Sequence, residues 1–352
     1  MQQLETLFQP YELNNKLILK NRIIMAPMSR YSAGDGLKPT EAMADYYEKR
    51  ADAGLIITEG TLIRADAGHG GVPGIFTSDQ INAWRVVTDK VHARGGKIFQ
   101  QLWHVGRVSH PYFLDGKLPL APSQTVMEGR VWQAKGKELF FGQSREATVE
   151  EIKGLVESYA TAAKNAMEAG FDGVELHGAN GFLIDQFLHH HTNHRTDNYG
   201  GTPEKMARFV LDVVKAVTEA VGSHRVGLRL SPGAYLNEVV GDVRDRDVFK
   251  YVLEQLNDFS LAYIHTGNFN DKTLFAELGD KTMTAFMREH YKGTLIASGS
   301  YEFNDANEQI KQEQFNLIAI GRPFIANPDL IPRLEKNQDI ISYDQSMLAT
   351  LR

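Results

Sequence analysis

The sequence predicts an α/β protein, a single (β/α)8 TIM barrel spanning residues 1–352 as one domain. Three observations carry that expectation. Eight short apolar runs recur along the chain without the apolar–polar alternation of a half-exposed sheet, as parallel strands buried on both faces require. Segments of helical period separate the runs, and right-handed crossovers return each strand parallel to the last. No linker or shift of composition divides the chain into the two halves of a doubly wound plan.

The predicted strands, preceded by an N-terminal β-hairpin, are Ile23–Met28, Gly54–Glu59, Lys97–Trp103, Gly173–His177, Val226–Leu230, Leu261–His265, Thr294–Ser298 and Leu317–Gly321. After the second, Thr77 and Gln80 have the spacing of a capping box and open a helix with Trp84, Val87 and Val91 on one face. The third is followed by Val105–Arg145, too long for a simple loop and therefore an excursion over the barrel mouth. Thr148 and Glu151 start a helix whose stripe runs Ile152, Leu155, Val156, Tyr159, Ala162, Ala163, Ala166 and Met167, and Gly170 closes it. Thr202-Pro203 gives a cap and a proline at the first helical position, ahead of Met206, Phe209, Val210, Val213, Val217 and Ala220, with Gly222 beyond.

Composition excludes several functions. The 38 basic and 44 acidic side chains give a formal charge of −6 with no basic stripe, unlike a nucleic-acid binder. There is no cysteine, hence no disulfide, iron–sulfur cluster, thiolate zinc site or cysteine nucleophile. No apolar run approaches the ~20 residues of a membrane span, and the N-terminal residues lack the pattern of a secretory signal. The expectation is a cytoplasmic protein acting on a small molecule, without nucleic-acid or membrane partners, as a monomer or a homo-oligomer.

Barrel chemistry gathers at the C-terminal ends of the strands. Gly299, Ser300, Gly321 and Arg322 follow the seventh and eighth runs, where backbone N–H groups and a guanidinium suit a phosphate; ordinary turn chemistry is the plainer alternative. Arg229 lies inside an apolar strand and needs a cofactor or a neighbouring carboxylate as partner. Gln101 suits either a planar heterocycle or a satisfied place in the core. His177 and Asn180 could both donate to one oxygen and stabilise an enolate, although a structural histidine explains the first equally well. His189, His190, His191 and His194 look like a metal cluster, but consecutive histidines cannot converge on one ion and no carboxylate has an obvious place beside them, so no metal is expected. The Gly68, Gly70, Gly74 spacing does not match a dinucleotide fingerprint and reads as a loop. From these residues alone a non-redox isomerase or aldolase with a phosphate corner stays open.

Five blocks in order resemble the Old Yellow Enzyme family: Asn21–Arg30 (NRIIMAPMSR), Gln101–Arg107 (QLWHVGR), His177–Phe187 (HGANGFLIDQF), Thr192–Gly201 (TNHRTDNYGG) and Gly321–Leu330 (GRPFIANPDL). The resemblance implies an FMN-containing barrel that takes hydride from NADPH or NADH and reduces activated C=C bonds of α,β-unsaturated carbonyl compounds by ping-pong turnover, with nitro compounds as further acceptors. It implies that Pro27, Met28, Ser29, Gly60 and Gln101 line the flavin ring and that Arg229 approaches its N1/C2 side. Gly299, Ser300, Gly321 and Arg322 would hold the phosphate, and His177 and Asn180 the substrate carbonyl.

Three positions depart from the family pattern. Phe182 stands where a tyrosine usually protonates the substrate; Tyr31 is the expected substitute, with solvent water as its rival, and a protein specialised for quinones, nitro groups or a particular metabolite is the alternative. Ser29 replaces a threonine or cysteine and retains a hydroxyl for the flavin. The tail Ile340–Arg352 lacks the usual aromatic, glycine-rich ending, so no aromatic contact from it is expected.

Overall fold

Each apolar run forms a parallel strand, and the eight close on themselves. The structure, a computed structural model, describes residues 2–13, 17–134 and 136–351. The barrel strands are β1 (Ile23–Met25), β2 (Leu55–Ile57), β3 (Ile98–Trp103), β4 (Gly173–Gly178), β5 (Val226–Leu230), β6 (Tyr263–Thr266), β7 (Leu295–Ala297) and β8 (Leu317–Ile320). Each pairs with the next, and β8 returns to β1 with Ile318 opposite Ile23. Side chains alternate in and out. Ile24, Leu55, Ile57, Phe99, Tyr263, Ile296 and Leu317 fill the interior, while Ile23, Ile56, Ile98 and Leu228 pack outward among the helices. Tyr11–Leu13 and Leu17–Leu19 form the expected antiparallel hairpin, whose turn falls outside the described residues. Its Leu13 and Leu19 join the interior cluster and stopper that end of the barrel.

Helices α1 (Glu41–Glu48), α2 (Ser78–Ala93) and α3 (Val149–Glu168) occupy the early crossovers. Both predicted capping boxes form: Thr77 with Gln80 and Thr148 with Glu151, each side chain reaching the other's backbone N–H. Caps of this kind are worth about 1 kcal/mol each. Thr202 behaves differently. Its hydroxyl is engaged with the Glu204 carboxylate and makes no capping bond, and the helix breaks at Ala207 into α4 (Pro203–Met206) and α5 (Arg208–Val221). The apolar stripe nevertheless buries Met206, Phe209, Val210, Val213 and Val217, and the helix ends at Gly222 with φ 89°.

The excursion after β3 is a folded ribbon. Leu120–Ala121 pairs with Arg145–Glu146, and bridges join Val126 to Gln143 and Arg130 to Phe140. Arg107 ties it across the mouth by donating to the carbonyls of Asn237 and Glu238, both at 3.0 Å, in the loop after β5. Among the described residues no helix is long and apolar enough to cross a membrane.

Candidate active site

Strand register assembles the site. Arg229 on β5 stands between His177 on β4 and His265 on β6, and Gln101 on β3 is opposite Glu175 on β4. Glu175 is fully buried and accepts from Gln101 Nε2 at 2.8 Å; its other oxygen lies 2.9 Å from His265 Nδ1. Burial would raise the Glu175 pKa, but His265 and Arg229 outweigh it and hold the group low, as a carboxylate. Burial, against the pull of Glu175, leaves His265 with a lowered pKa. The pair is therefore a carboxylate facing a neutral Nδ1–H imidazole, and Glu175 is the anion near Arg229. Gln101 has its amide nitrogen committed to Glu175, so its oxygen is the end available to the cavity.

That cavity, about 260 Å³ at the strand ends, is lined by Pro27, Ser29, Tyr31, Gly60, Gln101, His177, Asn180, Phe182 and Arg229 among others. A second, of about 190 Å³, shares Pro27 and Arg229 with it and adds Met28, Gly299, Ser300, Gly321 and Arg322. Every residue that the family resemblance assigned to flavin, phosphate or substrate lines one of these two joined spaces, whereas the histidine loop lies outside both.

His177 is buried against Trp103 (ring centroids 6.0 Å, 27° apart) and edge-on to Phe182 (5.0 Å, 72°). Burial first, then the charge of Arg229, push its pKa well down, so it is a neutral imidazole. Its Nδ1 has no partner among the described residues. Asn180 takes a left-handed φ of 65°, tolerable for asparagine; its N–H donates to Ser231 Oγ at 3.0 Å and its carbonyl accepts from Asn237 Nδ2 at 2.7 Å. Phe182 packs on both Trp103 and His177, a ring with no proton to give. Tyr31, also at positive φ (51°), hydrogen-bonds Gln133 of the excursion and Ser29, and burial raises its pKa, keeping the phenol protonated.

At the other end, Arg322 Nη2 donates to Ser300 Oγ at 2.7 Å, and Ser300 Oγ donates to Phe269 O at 2.9 Å. Gly299 has φ 133°, and a Cβ there would meet the backbone nitrogen of Asp271 at 2.6 Å, so only glycine fits the turn.

The histidine loop corrects one expectation: carboxylates do lie beside it. Asp245 bonds His189 Nδ1 at 2.9 Å and His190 Nδ1 at 2.8 Å, and Asp185 lies 3.4 Å from His189 Nε2. Burial opposes the charge on His189, but the two aspartates raise its pKa to about 10. Its ring is thus the cationic centre of a structural network, and among the described residues no group of His, Asp and Glu is arranged to hold a metal. The tail also makes contacts near the site: Arg30 Nη2 donates to Met347 O at 3.1 Å and Thr350 O at 2.7 Å.

Residues 6–340 match the model of the NADH:flavin oxidoreductase / NADH oxidase family. The chain belongs to this family. It is 41% identical to the flavin oxidoreductase hxnT of Emericella nidulans, covering 97% of this chain and 94% of that one. It is 38% identical to 12-oxophytodienoate reductase 2 of Arabidopsis thaliana, covering 98% and 92%. Among solved structures, the old yellow enzyme homologue from Zymomonas mobilis superposes with a TM-score of 0.91 at 35% identity over 97% and 96% of the two chains. Morphinone reductase in complex with tetrahydroNAD gives 0.88 at 41% over 97% and 93%. The protein is accordingly an FMN-dependent oxidoreductase of Old Yellow Enzyme type that uses a nicotinamide cofactor. Family membership sets aside the non-redox isomerase or aldolase, and the specialised quinone or nitro reductase is not favoured.

The residues present fit FMN. Among the described residues Arg229 Nε and Asn268 Nδ2 are buried without partners, at the junction of the two cavities and beside the second. The Gln101 oxygen is free of Nε2's partner. Gly60 abuts Trp103 so closely that a Cβ would lie 2.4 Å from the indole. Sequence reading missed Glu175, His265, Trp103 and Phe269. Glu175 carried a usable signal, a charge inside an apolar strand, the same one that marked Arg229.

Proposed function

We propose that residues 1–352 act as one FMN-binding barrel domain reducing the activated C=C bond of α,β-unsaturated carbonyl compounds, with NADPH or NADH as donor, in the cytoplasm where these donors are available. FMN bound here would supply the hydride chemistry that links the nicotinamide to the substrate β-carbon. Pro27, Met28, Ser29, Gly60 and Gln101 would hold the ring, with Gln101 accepting through its oxygen and Arg229 placing positive charge beside it. Gly299, Ser300, Gly321 and Arg322 would bind the phosphate.

His177 and Asn180 donate to the substrate carbonyl oxygen, where negative charge grows as the β-carbon takes hydride. The electron pair of the former C=C bond then returns from oxygen to the α-carbon. Tyr31 gives its phenolic proton there and regains one from solvent, while Phe182 only shapes the wall. The carrying observation is that His177, Asn180 and Tyr31 line one cavity together with Pro27, Gln101 and Arg229. An anaerobic experiment tests the reading: holoenzyme bleached with one equivalent of NADPH is mixed with a cyclic enone. Prompt return of the flavin band with formation of saturated ketone is expected. Recovery only with a quinone or nitro compound would overturn the enone assignment.

A further inference from the structure

The loop after β5 carries a tyrosine to which neither the sequence nor the chemistry above gives a task. Tyr235 is half-buried, edge-on to Phe269 (ring centroids 5.0 Å, 86°), and its phenol oxygen lies 2.5 Å from Asn180 Oδ1. Ser231 Oγ is 3.3 Å from the same oxygen, but its single proton has a closer acceptor in Gly267 O at 2.9 Å. The same Oγ already receives the Asn180 N–H. Proton bookkeeping therefore makes the phenol the donor to Asn180 Oδ1.

A carboxamide has two orientations related by a half-turn, and they present opposite chemistry: two N–H donors or two lone pairs. The backbone contacts of Asn180 fix its main chain and leave that half-turn free. A phenol donates strongly, whereas its oxygen, conjugated with the ring, accepts poorly. The favoured arrangement has Oδ1 on Tyr235 and Nδ2 toward the cavity. We propose that Tyr235 is a positioning residue for carbonyl recognition, holding the Asn180 amide in the orientation that offers N–H to the substrate oxygen. The proposal rests on the reading of Asn180 as a carbonyl donor. Without the phenol the amide samples the reverse orientation, which sets an oxygen lone pair against the substrate oxygen and repels it. Burial, opposed by Arg229, pushes the Tyr235 pKa up to about 12, so the donor persists at any working pH.

A double-mutant cycle on the holoenzyme tests this, read as the second-order rate at which a cyclic enone reoxidises NADPH-reduced enzyme. Tyr235→Phe keeps the ring against Phe269 and removes only the hydroxyl. It should slow reoxidation about 10-fold, or ~1.4 kcal/mol, chiefly through weaker enone binding. In an Asn180→Ala background the same change should cost less than about 2-fold, because nothing is left to orient. Equal losses in both backgrounds, or no loss from Tyr235→Phe alone, would overturn the proposal. An Asn180→Ala variant with wild-type reoxidation would instead overturn the reading of Asn180, and the proposal with it. Should the Phe variant fail to retain flavin, Tyr235→His retains a ring and an N–H donor; its rate should stay within about 3-fold of wild type, and a full 10-fold loss in it would count against an orienting donor.

Discussion

Replacing Glu175 with Gln tests whether this carboxylate is the charge that allows Arg229 to sit in the barrel. Glutamine has nearly the same shape. Its oxygen can still accept from Gln101, and its NH2 can donate to His265 if that ring shifts its proton from Nδ1 to Nε2, which has no partner now. The hydrogen-bond count therefore survives, and the loss is mainly the anion. Breaking a buried ion pair costs about 3–5 kcal/mol. Arg229 makes no direct ion pair with Glu175 within 4.0 Å and remains 8% exposed, so a figure at or below the bottom of that range, about 2–3 kcal/mol, is the fitting one here. At roughly 2–4 °C per kcal/mol for large domains, the flavin-free protein should melt about 5–10 °C lower. The Gln101 amide also loses a charged acceptor worth about 1.5–3 kcal/mol, which loosens its orientation and weakens FMN binding. Thermal melts of the apoprotein and FMN titrations by quenching of flavin fluorescence read the two effects. An unchanged midpoint together with unchanged FMN affinity would show that Glu175 is not the counter-charge and that Arg229 is stabilised elsewhere.

Other expectations follow from the same contacts. Tyr31→Phe should slow enone reduction by about 100-fold, the low end for loss of a general acid, with flavin bleaching by NADPH nearly intact; unchanged enone turnover would leave solvent water as the donor. Gly60→Ala puts a Cβ 2.4 Å from an indole already wedged against His177 and Phe182, so overpacking of about 1–3 kcal/mol and a raised enone KM are expected; wild-type melting and KM would mean that the ring can yield. Glu59 gives a pH signature. Burial, opposed by the backbone N–H of Arg30, lifts its pKa from 4.5 to about 7, so the folded protein holds the proton longer than the unfolded chain. Its contribution to stability should fall by about 3 kcal/mol as pH rises from 4.5 to 7. Glu59→Gln should remove that slope in denaturant melts, and an identical slope in the variant would count against it.

The barrel was legible because strands buried on both faces leave an uninterrupted apolar signature, and because capping boxes such as Thr148 with Glu151 are local. Contacts between distant segments were not. Thr202 had the right type and spacing for a cap, yet a competing carboxylate at Glu204 took its hydroxyl. The histidine loop seemed to lack carboxylates because Asp245 comes from a helix 55 residues further on. Tyr235 could be connected with Asn180 only once β4 and β5 were neighbours. The tail illustrates the same limit: without an aromatic, glycine-rich ending to announce a contact, its backbone carbonyls still dock on Arg30. Strand-end residues that the family pattern marked, from Pro27 to Arg322, do line the joined cavities. Of the residues that set their charge and orientation, His265 and Tyr235 carry no local motif, and Glu175 only its charge inside an apolar strand.

The join between β1 and β8 has a consequence beyond chemistry. Ile23 meets Ile318 across roughly 300 residues of chain, so this is the costliest loop of the ring to close and the natural place for it to unzip. The smaller cavity straddles that seam, with Pro27 and Met28 on one bank and Gly321 and Arg322 on the other. A nucleotide seated there, as proposed, would touch both banks and bind only the closed ring, and would so act as a latch by mass action. Flavin supply would then govern lifetime as well as catalysis: in a cell short of riboflavin, the unlatched barrels would be the first of these molecules taken by proteases.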